Sequence, residues 1–354
     1  MTTHRLKFGI AGPGMIAEFH AKALAVIDDA ELVAIHGRNQ ATAVDFATRH
    51  GCKAYTGYDE FLSHPGLDIV TICTPSGAHL EPAAAAAKAG KHVICEKPLE
   101  VSLPRIDAMI AACAKSGVML AGIFPRRFNP STKLLKAAID EGRFGRLVMA
   151  DASIKWWRTQ EYYDSGAWRG TWALDGGGAL MNQSIHTIDL LLHIMGNVKS
   201  VRAQTRLVAH TGIEVEDVAT AMLEFENGAF GVIQGSTACW SSTGHPAEIQ
   251  ICGDRGSVFM ADDKFRVWDF RDARDEDIII RKLHGLSRDT AGAGAADPKA
   301  IDFSWHQRNF EDAITALRSG HPPAIDGHQA RRSVALIRAI YDSAAHGGEQ
   351  INMG

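Results

Sequence analysis

Over the first 124 residues, short apolar runs alternate with longer stretches whose apolar positions recur every three to four residues. Leu6–Ala11, Leu32–Ile35, Ile69–Cys73, Val93–Cys95 and Val118–Ile123 read as buried strands. The stretches ending at Val26 and His50, the alanine-rich Pro82–Ala89, and Pro104–Lys115 read as the helices between them. Such strict alternation predicts a doubly wound parallel sheet, because parallel neighbours can be joined only by a crossover.

From Gly145 the period falls to two. Val201–Val208, Ala219–Phe225, Ala229–Gln234, Glu248–Cys252, Ser257–Met260 and Arg266–Phe270 alternate in polarity and are punctuated by turns such as Glu226-Asn227-Gly228 and Gly253-Asp254-Arg255-Gly256. They predict an antiparallel sheet. A long helix over about Gly178–Met195 precedes these strands, and helices near Phe303–Arg318 and His328–Ala345 close the chain. The expected fold is α/β: a Rossmann domain over 1–124, then an α+β domain over 125–354 with a large, mainly antiparallel open sheet, its last helix (about 328–345) free to pack back on the first domain. Thr290–Pro298, rich in Ala and Gly, reads as a mobile loop.

Length and composition agree with two cores: 354 residues, 46% hydrophobic and 22% charged. A net charge of -4 without a basic run argues against nucleic acid and for a small-molecule ligand. The polar Met1–Lys7 runs directly into an apolar strand and no long apolar span follows, so neither a signal peptide nor a membrane segment is expected and the cytoplasm is the expected location. The cysteines Cys52, Cys73, Cys95, Cys113, Cys239 and Cys252 are scattered without close pairs, which predicts free thiols and no metal site.

Two segments carry chemistry. Gly12-Pro13-Gly14-Met15-Ile16-Ala17 places G-x-G-x-x-A between the first strand and the first helix. Gly12 permits the tight turn, Gly14 lets a pyrophosphate approach the backbone, and Ala17 allows close packing, so a dinucleotide is the expected cofactor. At the end of the second strand, Ile35-His36-Gly37-Arg38-Asn39 contains no acid to read a ribose diol; Gly37 and Arg38 leave room and a cation for a 2′-phosphate, favouring NADP over NAD. Thr74, Pro75 and Ser76 follow a strand at the sheet's carboxyl edge and are expected beside the nicotinamide, and His79 starts the next helix. Val93–Cys95 delivers Glu96-Lys97-Pro98 to the same edge, where Lys97 can hold a substrate hydroxyl and stabilise its oxygen as the proton leaves. In the second domain, Gly176-Gly177-Gly178 opens the long helix, and a helical period places Asn182, His186, Asp189 and His193 on one face.

These motifs together, with Gly90–Pro98 and Phe124–Pro130, resemble the glucose-fructose oxidoreductase, inositol dehydrogenase and rhizopine-catabolism (Gfo/Idh/MocA) family of NAD(P)-dependent oxidoreductases over nearly the whole chain. The resemblance implies hydride transfer at a secondary hydroxyl or ketone of a sugar, sugar derivative or cyclitol, with His186 as proton acceptor and Lys97 on the same oxygen. Where the family often has Asp, this chain has Asn182, whose amide can orient His186 or a sugar hydroxyl but carries no proton. The implied cofactor-binding set is Gly12, Pro13, Gly14, Met15, Ile16, Gly37, Arg38, Thr74, Pro75, Ser76, His79, Glu96, Lys97 and Arg127. Lys97, Lys155, Arg158, Trp168, Asn182 and His186 are the substrate candidates, since aromatic faces pack on sugar C–H surfaces and arginines bind hydroxyls or carboxylates. A homodimer or homotetramer is expected. The competing readings are an NAD-assisted glycosidase working through transient oxidation and elimination, and a non-catalytic dinucleotide sensor.

Overall fold

The structure, a computed structural model, describes residues 4–286 and 303–354. The chain divides into two compact units, Met1–Pro125 with Asp302–Arg331, and Arg126–Ile301 with Arg332–Gly354. Thr290–Pro298 lies outside the described residues.

The first unit holds a parallel sheet in the order β3-β2-β1-β4-β5-β6. Its strands are β1 (Leu6–Ala11), β2 (Ala30–His36), β3 (Lys53–Tyr55), β4 (Ile69–Ile72), β5 (His92–Cys95) and β6 (Leu120–Gly122). The crossovers are α1 (Met15–Ala25), α2 (Gln40–His50), α3 (Tyr58–Leu62), α4 (Leu80–Lys88) and α5 (Leu103–Lys115). Local chemistry sets several ends. Asn39 caps α2 by accepting from the Thr42 N–H at 3.1 Å, and Gly51, at φ 67°, closes it in the left-handed conformation.

The division of the chain differs from the expected single boundary at residue 124. Helix α10 (Ser304–Ser319) carries Phe310, Ala313 and Ile314 into the core formed by Phe8, Leu24, Ile69, Ile94 and Ile123. Asn309 donates to the Gly122 carbonyl at 3.2 Å and accepts from the Phe124 N–H at 3.0 Å, satisfying backbone that leaves the edge strand. Sequence distance hides this packing, because the apolar stripe of α10 does not say which sheet it covers.

The second unit begins with α6 (Pro130–Asp140), capped by Asn129, and continues through β7 (Leu147–Lys155), α7 (Gln160–Asp164), a π-helical segment (Ala179–Ser184) and α8 (Ile185–Met195). Strands β8 (Val198–Arg206), β9 (Val218–Phe225), β10 (Phe230–Ser236), β11 (Glu248–Gly253), β12 (Gly256–Ala261) and β13 (Lys264–Phe270) follow, then α9 (Asp275–His284). Helix α11 (Gly327–Ala345) starts in the first unit and ends in the second, and β14 (Ile351–Asn352) closes the chain. The sheet order is β13-β12-β11-β7-β10-β9-β8-β14, antiparallel except for the parallel β7–β10 pair. One face is lined by small residues, among them Ala150, Ala152, Ala219 and Ala221, so the almost wholly buried α8 can lie close to it. A Cβ on Gly235 would already reach the Leu180 side chain at 2.7 Å. No described helix is long and apolar enough to cross a membrane.

Replacing Phe310 with Ala removes a ring that meets Phe8 edge-on at 5.9 Å. It is expected to destabilise the first unit by about 3–5 kcal/mol in urea unfolding, whereas a change below 1 kcal/mol would show that 302–331 is not part of that core.

Candidate active site

In the first unit the glycine turn has the geometry that a diphosphate needs. Gly12 sits at φ 103°, where a Cβ would meet the Cys73 carbonyl at 2.7 Å. Gly14 precedes α1 without any side-chain cap, and a Cβ there would meet nothing within 4 Å. Met15, the first residue of α1, is exposed. At the end of β2, Gly37 is buried with room for no side chain, since a Cβ would lie 2.8 Å from the Pro13 ring, and Arg38 is exposed. Gly12, Gly14, Gly37 and Arg38 are thus the residues at this turn that could hold a dinucleotide.

Thr74 and Pro75 are half-buried, and Ser76 is buried. His79 directly precedes α4 and is buried. Its ring lies between the Pro98 carbonyl at 2.9 Å and the Thr74 carbonyl at 2.8 Å, so it ties the turn after β4 to the turn after β5.

Glu96 likewise turns inward. Its Oε1 is 2.8 Å from His20 Nε2 and its Oε2 accepts from the Lys97 N–H at 3.1 Å. His20 also approaches Thr71 Oγ1 at 2.9 Å and Cys73 Sγ at 3.2 Å, and His306 Nε2 stands 3.9 Å from Glu96. Burial alone would raise the Glu96 carboxyl; the hydrogen bond and charge of His20, with His306 and Lys97, bring it down to about 2. The His20, Glu96 and His306 ligand atoms lie within 4.8 Å of one another, a convergence that sequence spacing did not reveal because the three come from α1, the end of β5 and α10. Lys97 is half-buried, and its peptide bond to Pro98 is cis.

In the second unit, the long helix expected over Gly178–Met195 is divided. Its first turns are π-helical, carrying Asn182, and α8 begins just before His186. The wider turn breaks the single-face stripe assumed from a uniform period. Asp189 faces inward, where Arg127 Nε and Nη2 grip it at 2.7 and 2.6 Å and Ser333 donates at 3.1 Å. Arg127, expected at the cofactor, is thus buried in a bidentate ion pair of its own unit. His193 is shielded, and burial together with the nearby Arg127 lowers it to about 4.

The entry to the π segment is held by Glu216. Its carboxylate accepts from the Gly178 and Leu180 N–H groups, each at 2.9 Å, and from the Tyr341 hydroxyl at 3.0 Å. A Cβ on Gly177 would collide with the Tyr341 hydroxyl, and one on Gly178 with the Glu216 carbonyl. Burial raises the Glu216 carboxyl to about 7 against the lowering effect of those N–H bonds.

Asn182 donates to Asp175 Oδ1 at 2.5 Å. Since a carboxylate only accepts, this orients the amide, whose Oδ1 then faces Gln183 Nε2 at 3.3 Å. Gln183 also donates to the Tyr162 hydroxyl at 2.8 Å and accepts from Arg158 Nη2 at 3.0 Å. Arg169 donates to Tyr162 at 2.6 Å and lies over the Tyr162 and Trp168 rings, and Arg158 lies over Trp156. Asn182 is therefore linked through Gln183 to a cationic and aromatic group that includes Arg158 and Trp168, while Lys155 is exposed at the end of β7. Asp175, buried just ahead of the glycine triplet, and the Glu216-Asp217 pair ahead of β9 went unread in the sequence. Acids bordering an apolar run were the available signal.

Residues 6–124 match the oxidoreductase family, NAD-binding Rossmann fold, and residues 132–259 match the GFO/IDH/MocA C-terminal domain. The chain is 29% identical to the myo-inositol 2-dehydrogenase of Thermotoga maritima, with 94% of each chain covered. It is 31% identical to the uncharacterized oxidoreductase YrbE of Bacillus subtilis over 72% of this chain and 74% of that one. Among solved structures, the WlbA dehydrogenase of Bordetella pertussis, in complex with NADH and UDP-GlcNAcA, superposes with a TM-score of 0.90 at 34% identity, covering 100% of this chain and 99% of that one.

The raised Glu216 carboxyl has a signed consequence for stability. Its folded value of about 7 exceeds the ordinary 4.5, so the folded protein retains the proton between those values and this contribution is lost as pH rises through 7. Relative to Glu216→Gln, the wild type is expected to lose about 1–3 kcal/mol of unfolding free energy between pH 5 and pH 8. A pH-independent difference between the two proteins would contradict it.

Proposed function

We propose, from the premise that this chain belongs to the Gfo/Idh/MocA oxidoreductase family of NAD-dependent sugar and cyclitol dehydrogenases, that it interconverts a secondary hydroxyl and a ketone on a sugar derivative bearing an anionic group. The observation that carries this reading is the open, uncapped glycine turn at α1 in a chain whose two units together match a sugar-nucleotide-bound dehydrogenase at 34% identity. The bound nicotinamide supplies hydride acceptance or donation.

The residues do the rest. His186 takes or returns the hydroxyl proton. Lys97 binds the same oxygen and stabilises its developing negative charge. Asn182 orients the reacting group through its fixed amide, with Asp175 supplying the carboxyl group that position 182 lacks. Arg158, Lys155 and Trp168 favour a substrate with both an apolar sugar face and a carboxylate or phosphate, as UDP-GlcNAcA has.

For the cofactor, the absence of an acid at 35–39 and the exposed Arg38 support NADP(H) as the preferred form of the dinucleotide, while Gly37 is required by the Pro13 ring packed against it. The cytoplasm is the proposed site of action. Exposed Met149, Met222 and Phe230 on one face of the large sheet support assembly as a homodimer or homotetramer.

Lys97→Met and His186→Asn are each expected to lower kcat at least ~100-fold in NAD(P)H-monitored assays, with the NAD(P)H dissociation constant held within threefold. Near-normal turnover in either variant would refute the assignment. Arg38→Ala is expected to raise KM for NADP about tenfold and to leave KM for NAD within twofold; equal effects on both cofactors would remove the NADP preference.

A further inference from the structure

We infer that the buried cluster of His20, Glu96 and His306 serves Lys97, with Glu96 as a positioning residue that fixes the lysine's backbone and keeps a negative charge beside it. This rests on the reading of Lys97 as the residue that binds the reacting oxygen. The geometry is specific: one Glu96 oxygen is committed to His20 at 2.8 Å and the other to the Lys97 N–H at 3.1 Å. The carboxylate thus joins α1 to the residue that follows it in the chain, and His20 is itself anchored on Thr71 at 2.9 Å.

Stability alone does not account for such a group. Glu96 is 5% exposed, His20 is fully buried and His306 is 6% exposed, and replacing buried charged clusters by apolar side chains is often neutral or stabilising. His306 Nδ1 is buried and has no hydrogen-bond partner among the described residues, which adds a desolvation cost. A metal ion is a poor occupant. Two ligands at ~2.0–2.1 Å around a tetrahedral zinc stand more than 3 Å apart, whereas His20 Nε2 and Glu96 Oε1 are at hydrogen-bonding distance.

The electrostatic neighbours agree. Glu96 is ionised throughout the neutral range and its charge is felt by Lys97, an interaction that must act equally in the other direction. His306, lowered to about 4 chiefly by burial, is neutral there. Cys73 and Cys95, the remaining titratable neighbours, are buried thiols pushed well above their usual range and add no charge. A fixed anion favours the ammonium form of Lys97, the form that stabilises a developing oxyanion.

The test is a titration of the Lys97 amine in the full-length protein, by carbon NMR after reductive ¹³C-methylation, with Lys97→Arg assigning the resonance. Glu96→Gln is expected to lower the lysine pKa by about one unit and Glu96→Asp to leave it within about 0.3. An unchanged value in folded Glu96→Gln overturns the proposal. A kinetic cycle gives the second reading: Glu96→Gln or His20→Asn should each lower kcat at least ~10-fold in the wild type and less than twofold on top of Lys97→Met. Equal losses in both backgrounds would make the cluster merely structural, and this arm still decides if Glu96→Gln does not fold, because His20→Asn retains the carboxylate. Full turnover in Lys97→Met alone would instead refute the catalytic reading of the lysine, leaving its measured pKa shift to stand or fall separately.

Discussion

The second unit depends on a single buried carboxylate. A helix start sealed against a sheet leaves N–H groups that water cannot reach, and Glu216 takes two of them while accepting from Tyr341. Because Tyr341 belongs to α11, this one group joins the entry of the π segment to the last helix and to the start of β9. The glycines are the steric counterpart: at 177 and 178 the backbone approaches Tyr341 and Glu216 so closely that no Cβ fits. Asn182 and His186 are presented from this clamp, so their position follows from backbone satisfaction as much as from their own contacts.

Buried charge is used in a second way in the first unit. Glu96 sits below the surface against two imidazoles, and its remaining oxygen reaches the peptide N–H of Lys97. In both units a buried acid is tied to backbone, at Lys97 in the first and at Gly178 and Leu180, ahead of Asn182, in the second. Such acids hold main-chain atoms at fixed distances, which a long flexible lysine or an isolated imidazole cannot do for itself.

The acid missing at position 182 is recovered by packing. Asp175, seven residues earlier and buried, accepts from the Asn182 amide and thereby sets which way that amide faces. The direction then passes through Gln183 to Tyr162 and Arg158, because each amide end can only donate or only accept. A chain of neutral groups is ordered by the charges at its ends, and the carboxylate need not stand in the helix to act on it.

The periodicities of the sequence determined a great deal: a parallel α/β sheet followed by a mainly antiparallel one, and the turn Gly12–Gly14 with its uncapped helix. These are local properties, set by strand and helix periods and by the φ value that only glycine adopts readily. The inward turn of Glu96, His79 and Arg127, the membership of α10 in the first unit, the π-helical break before His186 and the pairing of Asn182 with Asp175 were decided only by the tertiary structure. Each depends on which distant residue fills a buried hydrogen-bonding vacancy or apolar surface, and neither spacing nor composition along the chain carries that information.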